Sequence, residues 1–363
     1  MSTGMSAFRS SVRETRGFVT EILMAGLVPF VRSSPGMGKS AIIKAIAEEY
    51  GMVLIDIRLS TCAPEDLTGL PFFDNGIAKF MPFDMFPIEG TPIPAGKNGW
   101  IIFLDEFNSA PKAVQAAAYK LVLDKMVGTN KLHPMVMIVA AGNLDTDRAI
   151  TNNIGTALQS RFIHLEMFLK TDSMGQQAEF LEDVAFKYDW DKRVVAYIGM
   201  NPGSLMDFRP DHNDKTFCCP RTWDFCQALI KGKEYTFVQN GQDQVYEMDA
   251  KAPMIAGTIT SGEAMKFINF TKVYQNLPKL ADILRDPDGA PVPTDPPVRY
   301  ATVTMLMELT TDQTFGKITQ YLNRMTSELR VLYFRGLMIK KPELRAHPAF
   351  RSAMLELSRY LHD

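Results

Sequence analysis

The residues with the clearest chemical potential are Pro35-Gly36-Met37-Gly38-Lys39-Ser40. A glycine-containing loop ending in Lys-Ser offers an anion several backbone N–H groups, one ammonium and one hydroxyl. In that pattern Lys39 reaches the β- and γ-phosphates of a nucleotide as a point charge, and the Ser40 hydroxyl ligates Mg²⁺. The next candidates are Asp105 and Glu106, which directly follow five apolar residues. Asp105 suits Mg²⁺ held through its water shell. Glu106 suits orienting or deprotonating a water for in-line attack on a γ-phosphate. Asn143 can hold the same water with its amide. Arg161 can extend a guanidinium out of its own subunit toward a neighbour's γ-phosphate, and Arg221 can fold over phosphates from a second domain. Arg148 is a weaker competitor for the place of Arg161. Each candidate also has an ordinary reading: an incidental glycine turn, a charged pair capping a strand, a turn asparagine, an arginine in a surface salt bridge.

One position departs from the usual loop. Ser33 stands where such loops begin with glycine. Glycine takes unusual backbone angles without steric cost, so Ser33 is expected to strain the loop or tune its affinity.

These residues need elements to hold them. A short apolar run at 27–31 precedes the loop and a helical pattern at 41–50 comes after it, giving strand, loop and helix in the order a phosphate site requires. A helix is expected over 6–24, and alternating Val53, Ile55 and Ile57 predict a strand over 52–59. Residues 61–98 hold six prolines and several glycines. A segment so long and irregular is usually functional. Within it a short helix start falls at 65–69, and a hairpin is predicted over 72–83, closed by Asp74-Asn75-Gly76. Continuous apolar runs at 100–104 and 135–141 read as buried parallel strands, and 162–166 as the last one. Pro111 is expected at the first position of a helix reaching about Lys125. Five strands alternating with helices predict an α/β sheet with helices on both faces. Beyond residue 172 helical patterns dominate, at 176–188, 192–198, 221–231, 261–273, 301–307, 314–336 and near 349–361. The expected division is therefore 1–170, an α/β nucleotide-binding core with an insert at about 61–98, and 171–363, a helical region.

Composition narrows the function classes. The chain has 363 residues, 46% hydrophobic and 22% charged, which suits a water-soluble protein with a sizeable core. A net charge of −2 provides no global basic field for nucleic acid or an anionic membrane. Residues 1–16 lack the layout of a signal peptide, and no apolar run is long enough to span a bilayer. Cys62, Cys218, Cys219 and Cys226, with His212 nearby, complete no zinc template. They are expected to be reduced thiols in a cytoplasmic protein.

The order of motifs resembles that of MoxR-type AAA+ ATPases. The residues that carry the resemblance are Ser34-Pro35-Gly36-Met37-Gly38-Lys39-Ser40, Asp66-Leu67-Thr68-Gly69, Phe103-Leu104-Asp105-Glu106-Phe107-Asn108, Ala141-Gly142-Asn143, Ser160-Arg161-Phe162 and Pro220-Arg221-Thr222. The resemblance covers roughly residues 26–231; the remaining third matches only as a helical extension. It implies a P-loop NTPase (AAA+) core with a five-stranded parallel sheet of order 5-1-4-3-2. An all-α lid and a helical C-terminal extension come after that core. It assigns Walker A to residues 36–40, Walker B to Asp105 and Glu106, sensor 1 to Asn143, the arginine finger to Arg161 and sensor 2 to Arg221. It implies ATP and Mg²⁺ as cofactors and subunits in a homo-oligomeric ring, often a hexamer. In this clade an insert interrupts the second core helix, matching residues 66–83, and members act as chaperone-like remodellers. Their partner often carries a von Willebrand factor A domain. The expected function is thus an ATP-hydrolysing remodeller of protein complexes. A nucleotide-gated scaffold with little turnover and a DNA-directed AAA+ ATPase of the replication or helicase-loading type are the alternatives.

Overall fold

The computed structural model describes residues 8–147, 152, 154–169, 178–241 and 243–361. Arg148 and the first residues of the helix expected from 176 lie outside them. The chain divides into two compact units, Met1–Leu169 with Arg209–His212, and Lys170–Phe208 with Asn213–Asp363.

In the first unit five parallel strands, β1 (Val28–Arg32), β2 (Met52–Arg58), β3 (Gly99–Asp105), β4 (Val136–Gly142) and β5 (Phe162–Glu166), form one sheet in the order β2-β3-β4-β1-β5. This is the implied 5-1-4-3-2 order read from the other edge. Every residue of β3 is buried, as an apolar strand covered on both faces must be. Helices α1 (Val12–Met24) and α2 (Lys39–Glu49) pack on the sheet and on each other. Between β2 and β3 lies α3 (Pro64–Thr68). Phe30, Ile102, Leu104, Ile138, Ala140 and Phe162 share a core with Phe107 and with Val114, Ala118 and Leu121 of α4 (Lys112–Asp124).

Local chemistry explains the element ends. Ser11 and Glu14 form a reciprocal capping box on α1: the Ser11 N–H donates to Glu14 Oε2 at 2.7 Å, and the Glu14 N–H to Ser11 Oγ at 3.2 Å. Pro111 sits one place earlier than expected, as the N-cap of α4 with extended ψ of 147°. The insert hairpin is Leu70–Asp74 paired with Ile77–Met81, and Asn75 and Gly76 both have positive φ, as a tight two-residue turn requires. A second small hairpin, Met126–Val127 with Asn130–Lys131, has too few residues for a periodic signal.

The second unit is predominantly helical and also carries one hairpin, Phe237–Asn240 with Asp243–Tyr246. Its core centres on Tyr197, Trp223 and Phe267, whose ring centroids lie 5.4–5.7 Å apart. A buried Arg193–Asp191 ion pair at 2.7 Å is completed by Arg193 donating to the Ile230 carbonyl at 2.9 Å. The single helix expected over 314–336 is two, Asp312–Leu322 and Ser327–Lys340. Asn323 occupies the C-cap position of the first and Thr326 the N-cap position of the second, both residue types that favour helix ends over interiors.

Phe30 is the centre of the first core. It is fully buried, and its ring lies 5.9 Å from that of Phe107 and 5.2 Å from that of Phe162. Phe30→Ala is expected to cost about 3–5 kcal/mol of stability through lost transfer energy and a residual cavity. A denaturant titration would show this as a lower midpoint at unchanged slope; an unmoved midpoint would refute it.

Candidate active site

Three strand ends meet at one level because of the sheet register. Arg58 of β2 pairs with Asp105 of β3, Leu104 of β3 with Ala140 of β4, and Arg32 of β1 with Gly142 of β4. Parallel strands all point the same way, so the residues just past each strand arrive at the same edge.

The loop after β1 turns through Gly36 at φ 76° and Gly38 at φ 90°, left-handed conformations that an L side chain rarely adopts. Gly38 is the N-cap of α2, so the amino end of that helix opens onto the loop. Met37 turns its side chain into the core, while Pro35 remains partly exposed. Lys39 Nζ donates to the Ser33 carbonyl at 3.0 Å, to Ser33 Oγ at 3.1 Å, to the Ser34 carbonyl at 3.4 Å and to Asn143 Oδ1 at 3.4 Å. The strain expected at Ser33 is absent, since its φ is not positive. Ser33 is fully buried, and its hydroxyl donates to the Ser34 carbonyl at 3.0 Å while accepting from Lys39. A serine fits there because the loop takes its left-handed turns at Gly36 and Gly38 instead.

Ser40 Oγ lies 3.2 Å from Asp105 Oδ2. Two hard oxygen donors at that separation, one of them a largely buried carboxylate, suit Mg²⁺. Asp105 Oδ1 accepts the Glu106 N–H at 2.8 Å, and Glu106 itself is left-handed at φ 54°. This conformation is uncommon for a residue with a side chain. It turns the chain sharply out of β3 into a short 3₁₀ turn, Phe107–Ser109. The Glu106 carboxylate accepts the Ser60 hydroxyl at one oxygen, and Arg58 Nε lies 3.6 Å from the other.

Asn143 comes directly after β4, and its backbone is gripped by a side chain. Asn108 Nδ2 donates to the Asn143 carbonyl at 2.8 Å, and the Asn143 N–H donates to Asn108 Oδ1 at 3.1 Å. Burial pushes the Asp147 carboxyl above its ordinary value, against a hydrogen bond from Ser34 and the charge of Lys39, which both pull it down. Burial and the neighbouring Asp105 likewise raise Asp56 on β2.

Lys39, Ser40, Asp105, Glu106 and Asn143 are therefore brought together. Arg161 is not. It directly precedes β5, where Phe162 pairs with Val28, so it lies at the amino end of a strand parallel to β1. The loop lies beyond the carboxyl end of β1, about 17 Å away along the strand at roughly 3.3 Å per residue. Its guanidinium donates to the Ala157 carbonyl and to Ser160 Oγ, and lies 5.1 Å from the centroid of the Tyr119 ring. Arg221 belongs to the second unit, exposed at the second position of the helix Pro220–Ile230.

Sequence reading missed Ser60, Asn108 and Asp147. Ser60 had a usable signal, since it stands just past the end of a strand whose neighbours carry the other polar groups. Asn108 was visible only as a member of the motif Phe103–Asn108, with no role attached, and Asp147 had no signal, because their partners depend on how two turns fold against each other.

Lys39→Ala removes the loop's ammonium and is expected to abolish nucleotide binding. Isothermal calorimetry with ATP checks this; unchanged affinity would rule out the loop as the site.

Residues 31–167 match the family described as "ATPase family associated with various cellular activities (AAA)". No curated protein matches the chain. Among solved structures, one mutant of RuvB from Thermotoga maritima is similar over 52% of this chain and 56% of its own length, at 16% identity and a TM-score of 0.34. A second RuvB mutant from Thermotoga maritima is similar over 86% of this chain and 87% of its own, at 16% identity and a TM-score of 0.39. A protein from Cytophaga hutchinsonii, provisionally described as an ATPase, is similar over 97% and 90%, at 13% identity and a TM-score of 0.35. Likenesses this remote carry nothing about function. The family match coincides with the strands and loops that assemble Lys39, Ser40, Asp105, Glu106 and Asn143, and residues 31–167 thus carry the α/β P-loop core of the AAA family.

Proposed function

We propose that this chain is a subunit of an ATP-driven, MoxR-like remodeller of protein complexes, working as a homo-oligomeric ring in the cytoplasm. The observation that carries the remodelling role is the hairpin Leu70–Asp74/Ile77–Met81, built into the ATPase domain with its apolar side chains outward. Phe73 is 83% exposed and Ile77 63%, and Leu70, Phe80 and Met81 are also exposed. Aromatic side chains buried in the core would have made this an ordinary structural insert. Instead its base is docked, since Asn130 Nδ2 donates to the Phe80 carbonyl at 3.3 Å, while its tip is free to touch another protein. Net charge of −2 supports a protein client over nucleic acid.

In this reading the loop Pro35–Ser40 and the amino end of α2 hold the phosphates of ATP. Ser40 and Asp105 would hold Mg²⁺, which when bound would neutralise phosphate charge. Glu106, released from Ser60, takes the proton of the attacking water, and the Asn143 amide holds that water. Arg161 serves the adjacent subunit, since the strand direction keeps it from its own loop, and Arg221 acts from the lid.

Glu106→Gln should bind ATP yet hydrolyse it about 10²–10⁴-fold more slowly, because an amide cannot accept the proton. Arg161→Ala should bind ATP and lose about 10³-fold or more in turnover. Mixing the two variants is expected to restore part of the phosphate release, since some interfaces then pair an intact Glu106 with an intact Arg161. Co-assembled variants that stay inactive at every ratio would defeat the assignment of Arg161 to its neighbour's site.

Replacing residues 72–80 with a short Gly/Ser linker should spare assembly and ATP turnover but abolish work on a client captured by the ATP-loaded Glu106→Gln ring. Loss of folding in this variant, or client remodelling at the wild-type rate, would refute the role of the hairpin. Turnover stimulated by DNA alone would replace the protein client with nucleic acid.

A further inference from the structure

The strand β4 ends at Gly142, and its neighbour β3 has already turned away at Asp105. Asn143 therefore lies one residue past the point where strand pairing could hold its backbone. The Asn108 side chain takes the place of the missing strand. Its planar amide offers a donor and an acceptor side by side, and they meet the carbonyl and the N–H of the same residue at 2.8 and 3.1 Å.

The clamp is built rather than incidental. Asn108 is 2% exposed, so its amide would be costly to leave unpaired there. Its own backbone is pinned, with the Asn152 N–H donating to the Asn108 carbonyl at 2.6 Å. The neighbouring Gly142 leaves room for it, because a Cβ at that position would stand 2.2 Å from Asn108 Oδ1. Two residues before Asn108 in the chain is Glu106, joined to it by a 3₁₀ turn in which the Ser109 N–H donates to the Glu106 carbonyl at 2.9 Å. Phe107, between them, is fully buried in the core and fixes that turn.

We propose that Asn108 is the positioning residue that fixes Asn143 relative to Glu106, so that a single water meets both the carboxylate and the amide. The proposal rests on the roles given above to Glu106 and Asn143. Asn108 acts through the backbone of Asn143, which both of its amide atoms contact. Binding of ATP at the loop does not depend on the spacing of these two groups, whereas attack by the water does.

The test uses full-length protein, steady-state phosphate release and calorimetry with ATP. Asn108→Ala is expected to lower kcat by about 10²-fold, with KM and ATP affinity within about threefold of wild type. Asn108→Asp keeps the acceptor for the Asn143 N–H and loses the donor, so its kcat should fall between those of wild type and Asn108→Ala. This variant also carries the test if Asn108→Ala does not fold. The double variant Asn108→Ala/Asn143→Ala should be no slower than Asn143→Ala alone, because both act on one contact. Losses that multiply would overturn the proposal, as would wild-type kcat in both Asn108 variants beside an impaired Asn143→Ala. If Asn143→Ala itself turns over normally, the role given to Asn143 is what has failed, and the proposal falls with it.

Discussion

Backbone hydrogen bonds between β1, β3 and β4 hold three strand ends at one level, and the candidate site of the AAA core depends on that alignment. Because Leu104 pairs with Ala140 and Arg32 with Gly142, Asp105, Asn143 and the loop after β1 emerge side by side. A register slip of one residue would turn every side chain of a strand to the opposite face. The aromatic packing of Phe30 against Phe107 and Phe162 opposes such a slip, since the three rings pack against one another in a single cluster. Core packing and the placing of the polar groups thus depend on the same strands.

Within that frame, the polar groups satisfy one another. Lys39 divides its hydrogen bonds between Ser33, Ser34 and Asn143, and Glu106 accepts from Ser60. Buried or half-buried charges need such partners, and groups held by weak neutral acceptors can exchange them for a stronger anion. Ser33 is one of those partners, so its place in the loop is electrostatic as much as conformational. The same logic applies to Asp147, whose raised carboxyl lies near the ammonium that nucleotide phosphates would claim.

Arg161 and the insert hairpin are governed by what the sheet does not cover. Arg161 stands at the amino end of β5, so the parallel direction of the strands separates it from the loop of its own chain. The hairpin projects from between β2 and β3, where its antiparallel pairing satisfies its own backbone and leaves its apolar side chains without a core to enter. The exposed apolar side chains of the hairpin and the distance of Arg161 from its own loop are the features on which the proposed client and assembly roles rest.

Much of the AAA core was legible in the amino-acid sequence because its signals are local. Continuous apolar runs mark buried parallel strands, and Gly36-x-Gly38-Lys39-Ser40 between a strand and a helix marks a phosphate loop. Asp105, Glu106 and Asn143 were accessible by their places just after such runs. The hairpin turn was likewise written in Asn75-Gly76, which both take positive φ. Which groups meet was decided only by the tertiary structure. Ser33 tolerates its position because of its φ, Ser60 reaches Glu106 because β2 lies beside β3, and Asn108 replaces a strand for Asn143 because two turns fold together. The break at residues 323–326 also escaped the periodic reading, because a capping Asn and Thr interrupt a pattern whose apolar residues continue on both sides. Periodicity reports the face a residue presents along one element, whereas hydrogen bonds between elements depend on distances that only the packed sheet sets.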